Sequence, residues 1–436
     1  ILSMANNPHA GYPNVFSTLT VGTVQVKNRI EVAPQLACLD NGGLVTRDLV
    51  AYYQAFARGG AGLVVVGDSV IDYENGRFHY GELDLSSDRA IPGLNVLVEA
   101  IQRYGAKASI EVNHAGSLSH PPEGVKIKGP SSATIVSRDR VIHVDAMTHG
   151  EIEDMVDKYA SACDRAMRAG FDMVLLHGGH GWLLSQFTSP LTNMRTDSYG
   201  ATPENRAKFA VEVLTEIRRR VGEKLAIEYR ISAEELVPGG MVLEETIGFL
   251  KIIQDKIDLV HVSLGSMGEP KYGMWAQPTY YSHNYIVPWA EKIKREVSIP
   301  VTAVGSISDL QSAEEILAAG KADMVAMARA LVADPDLVNK SYHEKADEVR
   351  PCTRCCRCMN RSAFFYPVRC SVNPTVGRGE ELRWLPPAET KKKVVVVGGG
   401  PAGMQAALTA ASRGHDVVLF EKEPMLGGAL WPAAAL

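Results

Sequence analysis

The sequence predicts an α/β fold: a (β/α)8 TIM barrel, then a cysteine-rich segment, then the beginning of a Rossmann-like domain. Three observations support this prediction. Strand-like and helix-like stretches alternate eight times between the N-terminus and residue 346. Five of the seven cysteines fall between Cys352 and Cys370. A valine-rich strand then runs into a glycine turn within residues 394–403.

The strand candidates are apolar and rich in β-branched residues along most of their length. Near-continuous apolar strands are typical of a parallel sheet that is buried on both faces. The predicted strands are 29–35, 63–69, 107–113, 172–178, 226–232, 259–265, 300–306 and 324–330. The predicted helices are 47–58, 92–104, 149–169, 204–221, 243–256, 288–297, 309–319 and 334–346.

Eight strand–helix units are the number that closes a TIM barrel. An open doubly wound sheet is the alternative, but no phosphate-binding glycine turn follows the first strand. We predict a barrel over residues 4–346, a cysteine segment with a linker over 347–390, and an incomplete Rossmann-like domain over 391–436. In such barrels the chemistry lies at the carboxyl ends of the strands. The residues expected at that rim include His177, His180, Arg230, Gly265, Gly305 and Arg329.

Charge and composition exclude several function classes. The net charge of -5 and the pI near 6.2 show no footprint for nucleic acid. The sequence has no apolar run long enough to span a bilayer and no signal-peptide pattern, so no membrane partner is expected. Clustered cysteines in a large chain indicate ligation in a reducing compartment, which predicts a cytoplasmic location. The oligomeric state stays open, with a homo-oligomer as one option.

The cysteine segment offers four spaced thiols: Cys352, Cys355, Cys358 and Cys370. Four thiolates are the number that a [4Fe–4S] cluster needs. A four-cysteine zinc site uses the same soft ligands and is the rival interpretation. Cys356 is surplus to either site, and the spacing does not exclude that it replaces one of its neighbours.

The segment after residue 391 combines a strand, a glycine turn, a helix and a second strand. Glycines at such a turn let the backbone approach a pyrophosphate, and the following helix N-terminus favours its charge. The positions of this pattern are Gly398, Gly400, Gly403 and, at the end of the second strand, Glu421. Glu421 is placed to accept hydrogen bonds from a ribose hydroxyl. An ordinary glycine-rich turn is the alternative reading.

Together these motifs resemble the old yellow enzyme relatives that include bacterial 2,4-dienoyl-CoA reductase, trimethylamine dehydrogenase and 2-enoate-type reductases. The resemblance covers nearly the whole chain. Its most specific elements are Lys27-Asn28-Arg29-Ile30, His177-Gly-Gly-His180-Gly-Trp182, Asn193-Met194-Arg195-Thr196-Asp197-x-Tyr199-Gly200, Met327-Ala328-Arg329, and Cys370-x-Val372-Asn373-Pro374. It implies FMN in the barrel, a [4Fe–4S] cluster in the cysteine segment, FAD in the second domain, and NAD(P)H as electron donor.

The resemblance also implies roles for individual residues around the FMN. Arg230 is expected beside the N1/O2 edge of the flavin, where a positive charge stabilises the anionic reduced form. Arg230 lies on an otherwise apolar strand and needs a partner, which a flavin supplies. Gly305 and Arg329 are expected to hold the phosphate. The full set of implied FMN positions is Ala33, Pro34, Gly67, Glu111, Arg230, Gly305, Ser306, Ala328 and Arg329.

The histidine pair His177 and His180 resembles the pair that hydrogen-bonds a substrate carbonyl above the flavin in this family. Such donation polarises an α,β-unsaturated carbonyl, so that the β-carbon accepts a hydride. We expect His180 to be the more exposed of the two. A metal site is the alternative reading of His-x-x-His, although no third ligand is adjacent in the sequence.

Three positions depart from the family pattern. Trp182 stands where a proton-donating tyrosine is usual, and an indole N–H is not a plausible acid at neutral pH. Glu111 stands where a glutamine usually faces the flavin pyrimidine, so its carboxyl group is either protonated or tunes the potential. Gly268-Glu269-Pro270 stands where the dienoyl-CoA reductases have a histidine. The candidate proton donors that remain, besides water, are Tyr272, Tyr280, Tyr281 and His283.

Three functions follow as hypotheses. The leading one is NAD(P)H-dependent reduction of the C=C bond of an unsaturated carbonyl compound: an enone, an enoate or an enoyl-CoA. The second is an amine dehydrogenase or demethylase of the trimethylamine dehydrogenase type, for which Trp182, Trp275, Tyr280 and Tyr281 would supply an aromatic bowl. The third is a non-catalytic electron-transfer subunit, which the changes at Trp182 and Glu111 motivate.

Overall fold

A computed structural model describes residues 11–137, 140–267, 276–382 and 385–434. The chain divides into two compact units, one extending to Arg378 and the other starting at Gly379. Among the described residues, no helix combines the length and the apolar character that crossing a lipid bilayer requires.

The first unit is built on a closed barrel of eight parallel strands, which confirms the predicted fold class. Each strand pairs with the next, and the first and last strands also pair, at Val32 and Met327. The strands are β1 Ile30–Val32, β2 Leu63–Val70, β3 Lys107–Asn113, β4 Met173–His177, β5 Ala226–Ser232, β6 Leu259–Ser263, β7 Val301–Ala303 and β8 Met324–Met327.

The helices of the first unit are α1 Arg47–Arg58, α2 Ile91–Gln102, α3 His149–Arg168, α4 Leu183–Thr188, α5 Pro203–Val221, α6 Leu243–Ile253, α7 Val287–Lys294 and α8 Leu310–Ala318. All of these except α4 cover the barrel strands from outside. The sequence pattern did not predict the short helix α4 or a three-stranded sheet (Ile127–Gly129, Ala133–Ser137 and Arg140–Ala146) inserted after β3.

The predicted helix 334–346 is shorter in the structure, where α10 covers Leu337–Tyr342. A second short helix, α9 Arg329–Ala333, precedes it and begins where the sequence predicted the end of a strand. Pro335 restricts the residue before it to extended backbone, and Asp334 accordingly has a ψ of 99°. The break places the Asp334 carboxylate where it accepts hydrogen bonds from Lys340 Nζ and from the Arg350 backbone N–H.

A hairpin of two short strands, Leu19–Val21 and Val24–Val26, closes the amino-terminal end of the barrel. Its valines pack in one apolar cluster with inward-facing residues of the strands, including Leu63 and Leu259. This cluster forms an apolar layer at the amino-terminal end of the barrel, so the polar interior of the barrel lies toward the carboxyl ends of the strands.

One layer of the barrel interior carries a buried ionic group. Glu31, Glu228 and His261 have no exposed surface, and His261 Nδ1 lies 3.0 Å from Glu31 Oε1 and 3.2 Å from Glu228 Oε1. Burial lowers the pKa of His261, but the two neighbouring carboxylates outweigh it and raise the value to about 9. Burial and the Glu31 charge raise the pKa of Glu228 to about 8.

These shifts predict a loss of stability in mild alkali. The stabilisation from charged His261 is complete below its unfolded pKa of about 6.5 and disappears as the pH rises through 9. The raised pKa of Glu228 has the same sign, because stability is lost as that buried carboxyl group ionises around pH 8. We expect the denaturant midpoint of unfolding to fall between pH 7 and pH 10, and His261→Asn to flatten this dependence. A wild-type midpoint that stays constant over this range would contradict the prediction.

The second unit begins with two parallel strands, β9 Lys393–Val397 and β10 Asp416–Phe420, joined by a helix over Pro401–Ser412. Gly398 ends β9 with a φ of +99°, which favours glycine. A Cβ on Gly403 would lie 1.9 Å from the Gly398 carbonyl oxygen, so only glycine allows the helix this close to the strand. The predicted βαβ beginning is therefore present.

Candidate active site

The candidate site lies at the carboxyl ends of β3, β4 and β5, where Glu111, His177 and Arg230 converge. Successive side chains of a strand point to opposite faces, so these residues point into the barrel while their neighbours pack against the outer helices. Tyr229, next to Arg230, packs against Phe249 of α6 in this way. The strand register places His177 opposite Arg230 and Glu111 opposite Leu175, two residues before His177 on the same face of β4.

Glu111 is the central contact of this group. Arg230 Nη1 donates a hydrogen bond to Glu111 Oε1 at 2.8 Å, and the same oxygen lies 3.2 Å from His177 Nδ1. Glu111 is 3% exposed and His177 is 4% exposed. Burial raises the pKa of Glu111, and the positive charge of Arg230 opposes that rise. The partner that Arg230 needs is thus a carboxylate of the protein itself, which the strand pattern did not predict.

The two histidines form a hydrogen-bonded row. His177 Nε2 lies 2.9 Å from His180 Nδ1, and His180 Nε2 lies 2.7 Å from Ser263 Oγ at the end of β6. Burial and the Arg230 charge lower the pKa of both imidazoles well below the usual value, so both are neutral at pH 7. Each histidine is 4% exposed, so the expectation that His180 is the more exposed is wrong.

His180 holds its place through its backbone. Its φ of +58° is unusual for a residue with a side chain, and it lies between Gly179 and Gly181. Its N–H donates to Ser232 Oγ at 3.0 Å, and its carbonyl accepts from the Met267 N–H. Two neighbouring strand ends therefore fix the loop that carries the pair.

Trp182 borders the histidine row, whereas the candidate tyrosines do not share its burial. The Trp182 indole is 3% exposed, and its ring centre lies 5.9 Å from that of His177 and 5.4 Å from that of Phe78. Tyr280 is 78% exposed and packs against Tyr281. His283 is also exposed, with Nδ1 3.2 Å from the Ser306 carbonyl oxygen. Tyr272, Trp275 and Gly268-Glu269-Pro270 lie outside the described residues.

The rim contains buried polar atoms that have no hydrogen-bond partner among the described residues. Such atoms are rare in folded proteins and point to a missing ligand or water. On the rim they include Gln35 Nε2, Asp68 Oδ1, Asn113 Oδ1, His177 Nδ1 and Arg230 Nε. They offer both donors and acceptors, as the polar edge of a flavin ring requires.

Gly67 and Pro34 show how closely the backbone lines this space. A Cβ on Gly67 would lie 2.8 Å from Pro34 Cβ and 3.1 Å from Glu111 Oε2. Pro34 directly follows the buried Ala33, whose N–H donates to the Met327 carbonyl oxygen. Position 67 therefore has no room for a side chain, and the unpaired polar atoms of the rim are the feature that fits the ring of an FMN.

The predicted phosphate residues also come together. Arg329 Nη2 donates to Ser306 Oγ at 3.0 Å, and Arg329 follows Ala328 at the start of α9. Gly305 has a φ of +122°, and a Cβ there would lie 2.9 Å from Ile286 Cβ. A guanidinium beside a hydroxyl and a tight glycine turn suits a phosphate group.

The four predicted cysteine ligands gather beside the barrel. Burial is the main cause that raises the pKa of Cys358 to about 12, and the nearby Cys352 and Cys370 thiols add to it. Cys352 is likewise near Cys370 and Cys355. Two backbone N–H groups point at sulfur, that of Arg354 at Cys352 and that of Val372 at Cys370, each at 3.4 Å.

The spacing of the sulfurs is wider than a zinc ion requires. Zn–S bonds of about 2.3 Å place tetrahedral cysteine sulfurs roughly 3.8 Å apart. In the part of the chain that the structure describes, no three cysteine sulfurs lie within 4.8 Å of one another. The surplus Cys356 turns its sulfur toward Arg329, whose Nη1 lies 3.3 Å away.

In the second unit, Glu421 closes the glycine turn. Its Oε2 accepts a hydrogen bond from the Gly399 N–H at 2.6 Å, and its Oε1 accepts from the Lys422 and Glu423 N–H groups. A ribose hydroxyl would have to share these oxygens. A Cβ on Gly398 or Gly400 would meet no atom within 4 Å, so space is open on that side of the turn.

Sequence reasoning did not find Ser263, Asp68 or the Glu31–Glu228–His261 group. Ser263 and His261 share the inward parity of β6, which is a signal that the strand pattern does contain. Glu31 and Glu228 gave a second signal for a buried ionic group, since each is a charged residue within a predicted apolar strand.

Comparison with known proteins agrees with this description. A sequence model of the NADH:flavin oxidoreductase / NADH oxidase family matches residues 14–348, and a model for FAD dependent oxidoreductases matches residues 393–434. These matches support FMN as a cofactor of the barrel and FAD as a cofactor of the second unit.

Two relatives illustrate the extent of the similarity. The chain is 40% identical over 433 residues to an NADH oxidase from Thermoanaerobacter brockii, covering 97% of this chain and 65% of the relative. It is 31% identical over 446 residues to a cinnamate reductase from Clostridium sporogenes, and the match covers 97% of this chain and 66% of the relative. The chain thus spans slightly less than two thirds of the length of these relatives.

Two solved structures have the same architecture. One is a 2-naphthoyl-CoA reductase in complex with 2-naphthoyl-CoA (TM-score 0.90, 29% identity, 96% of this chain and 66% of that chain). The other is a histamine dehydrogenase from Rhizobium sp. 4-9 (TM-score 0.88, 27% identity, 98% of this chain and 62% of that chain). The extent of these matches confirms the resemblance seen in the motifs: the chain belongs to the NADH:flavin oxidoreductase / NADH oxidase family of flavin-dependent oxidoreductases.

Proposed function

We propose that this protein is an NAD(P)H-dependent ene-reductase that reduces the C=C bond of an α,β-unsaturated carbonyl compound. The observation that carries the proposal is His177 Nδ1, a buried imidazole nitrogen at the rim. It lies 3.2 Å from Glu111 Oε1 but makes no hydrogen bond with it or with any other described residue. Both nitrogens of His180 are already engaged, one by His177 and one by Ser263. His177 is therefore the histidine with a nitrogen available for a substrate carbonyl oxygen.

The chain's own residues account for binding and polarisation. An N–H at His177 Nδ1 donates to the carbonyl oxygen and draws electron density from the conjugated double bond, which makes the β-carbon electrophilic. The row through His180 to Ser263 holds the imidazole in place. Arg230 and Glu111 would line the pyrimidine edge of an FMN, and Arg329 with Ser306 would hold its phosphate. FMN, when bound, supplies the hydride chemistry, while FAD and a [4Fe–4S] cluster supply electron transfer from NAD(P)H.

Two of the comparisons support the same substrate class. The named substrates of a relative and a structural neighbour, cinnamate and 2-naphthoyl-CoA, both carry a carbonyl group conjugated to carbon–carbon double bonds. For this chain an enone, an enoate and an enoyl thioester remain the candidates.

The experiment that tests the proposal is anaerobic reoxidation of the reduced holoprotein. The flavin absorbance is followed after mixing with a panel of an enone, an enoate and an enoyl-CoA. We expect at least one of them to reoxidise the flavin within the time of a turnover. If none of the three reoxidises it, the proposed function is wrong.

Amine oxidation is the second candidate, and the similarity to histamine dehydrogenase favours it. Trp182 would provide one aromatic wall, since its indole packs against Phe78 beside the histidine row. In this case an amine would reduce the oxidised flavin rapidly, and an enone would not reoxidise it. Reduction of the flavin by an amine and reoxidation of the flavin by an enone therefore distinguish amine oxidation from ene-reduction.

Restoring a phenol at position 182 tests the route of the proton. We expect Trp182→Tyr to speed reoxidation by an enone about tenfold or more, because a buried phenol beside His177 adds a general acid. Stopped-flow absorbance measures the rate, and Trp289→Phe, an aromatic change on the outer helix α7, serves as the control. An unchanged rate would show that the proton does not pass position 182.

A further inference from the structure

The further inference concerns Glu111, which contacts two active-site residues through one oxygen atom. Glu111 Oε1 lies 2.8 Å from Arg230 Nη1 and 3.2 Å from His177 Nδ1, and all three side chains are largely buried. The other oxygen, Oε2, faces Gly67. The carboxylate thus lies between the residue expected at the flavin edge and the residue proposed to bind the substrate carbonyl.

The first consequence is electrostatic. A guanidinium stays charged at physiological pH, and a buried charge is stable only when it is paired. Because Glu111 supplies the opposite charge, the net charge of the pair is near zero instead of positive. A flavin anion placed beside Arg230 would therefore be stabilised less than beside an unpaired arginine.

The second consequence concerns the proton on His177. A carboxylate oxygen 3.2 Å from Nδ1 repels a nitrogen lone pair and favours an N–H at that atom. His177 Nε2 then accepts from His180 Nδ1–H, and His180 Nε2 accepts from the Ser263 hydroxyl. Every hydrogen bond of the row runs in one consistent direction, with the donor N–H at the substrate end.

We propose that Glu111 is a positioning residue that cancels the charge of Arg230 at the flavin edge and keeps the proton of His177 on Nδ1. The inference rests on the proposed function only in placing FMN beside Arg230. It does not require that the substrate be an unsaturated carbonyl compound.

The test uses sulfite, which adds to flavin N5 and leaves a negative charge at the N1/O2 edge. In Glu111→Gln holoprotein the charge of Arg230 is no longer cancelled, so we expect the sulfite dissociation constant to fall at least tenfold. Glu235→Gln is the matched control. This buried glutamate contacts Ser189 and the Met241 N–H, and its substitution should change the constant less than twofold.

A sulfite affinity of Glu111→Gln within twofold of the wild-type value, with FMN still bound, would overturn the electrostatic part. A wild-type protein that binds no FMN would instead count against the proposed function. A second measurement needs no Glu111 variant. In ¹⁵N-histidine spectra of the wild-type holoprotein, with His177→Asn for assignment, we expect neutral His177 protonated at Nδ1. The opposite tautomer would overturn the positioning part.

Discussion

Replacing Cys358 with serine is expected to abolish the iron–sulfur cluster. The proposed cluster needs four thiolates, and Cys358, like Cys370, is partly buried and packs against the barrel core. A hard hydroxyl is a poor substitute for a soft thiolate. We expect iron and acid-labile sulfide to fall from about four per chain to near zero, while FMN stays bound.

The control for this experiment is the adjacent surplus thiol. Cys356 directs its sulfur toward Arg329, so Cys356→Ser should leave the iron content unchanged. Metal analysis of both variants separates the three readings of the segment. Iron loss in Cys356→Ser would show that Cys356 is a ligand. One zinc per chain in the wild-type protein, with no iron, would show that the cluster proposal is wrong.

Replacing His177 with leucine, which has no side-chain N–H, is expected to lower the rate of flavin reoxidation by an enone about 100-fold or more. The variant removes Nδ1, a buried ring nitrogen that makes no hydrogen bond among the described residues. Loss of a donor that stabilises developing charge on an oxygen typically costs about 10²–10³ in rate. Stopped-flow reoxidation at saturating enone measures the effect.

His343→Gln is the matched control, because this histidine is exposed at the end of α10. It should keep the wild-type rate. If His177→Leu also kept it while His180→Leu lost it, the substrate-binding nitrogen would belong to His180. Unchanged rates in both variants would rule out carbonyl activation by the pair.

The barrel could be predicted from the sequence because its strands are local and strongly patterned. The strands are largely buried and most contain consecutive apolar residues, as β2 shows from Leu63 to Val66. The hairpin below the barrel was missed because two three-residue strands carry too little pattern. The short helix α9 was missed because the largely apolar residues 324–330 continue the pattern of strand β8 into it.

Site positions followed from motifs, but their pairings did not. Strand parity indicates that Arg230 points inward, yet only the closed barrel brings it to Glu111, which is 119 residues away in the chain. The same holds for Ser263 at the end of the histidine row. The functional roles assigned to these residues remain predictions for the experiments above.

The hairpin that closes the amino-terminal end of the barrel also affects the order in which an electron donor and an electron acceptor can bind during a turnover. Because Val21, Val24 and Val26 fill that end of the barrel, a molecule that reaches the rim residues has to enter from the carboxyl ends of the strands. A bulky electron acceptor and a bulky electron donor cannot both bind at a single entrance of this kind. If electrons arrive through the cysteine segment, the electron donor does not have to bind at the rim, and this entrance is left to the acceptor. The flavin can then be reduced and reoxidised without one bound molecule having to leave before the other binds.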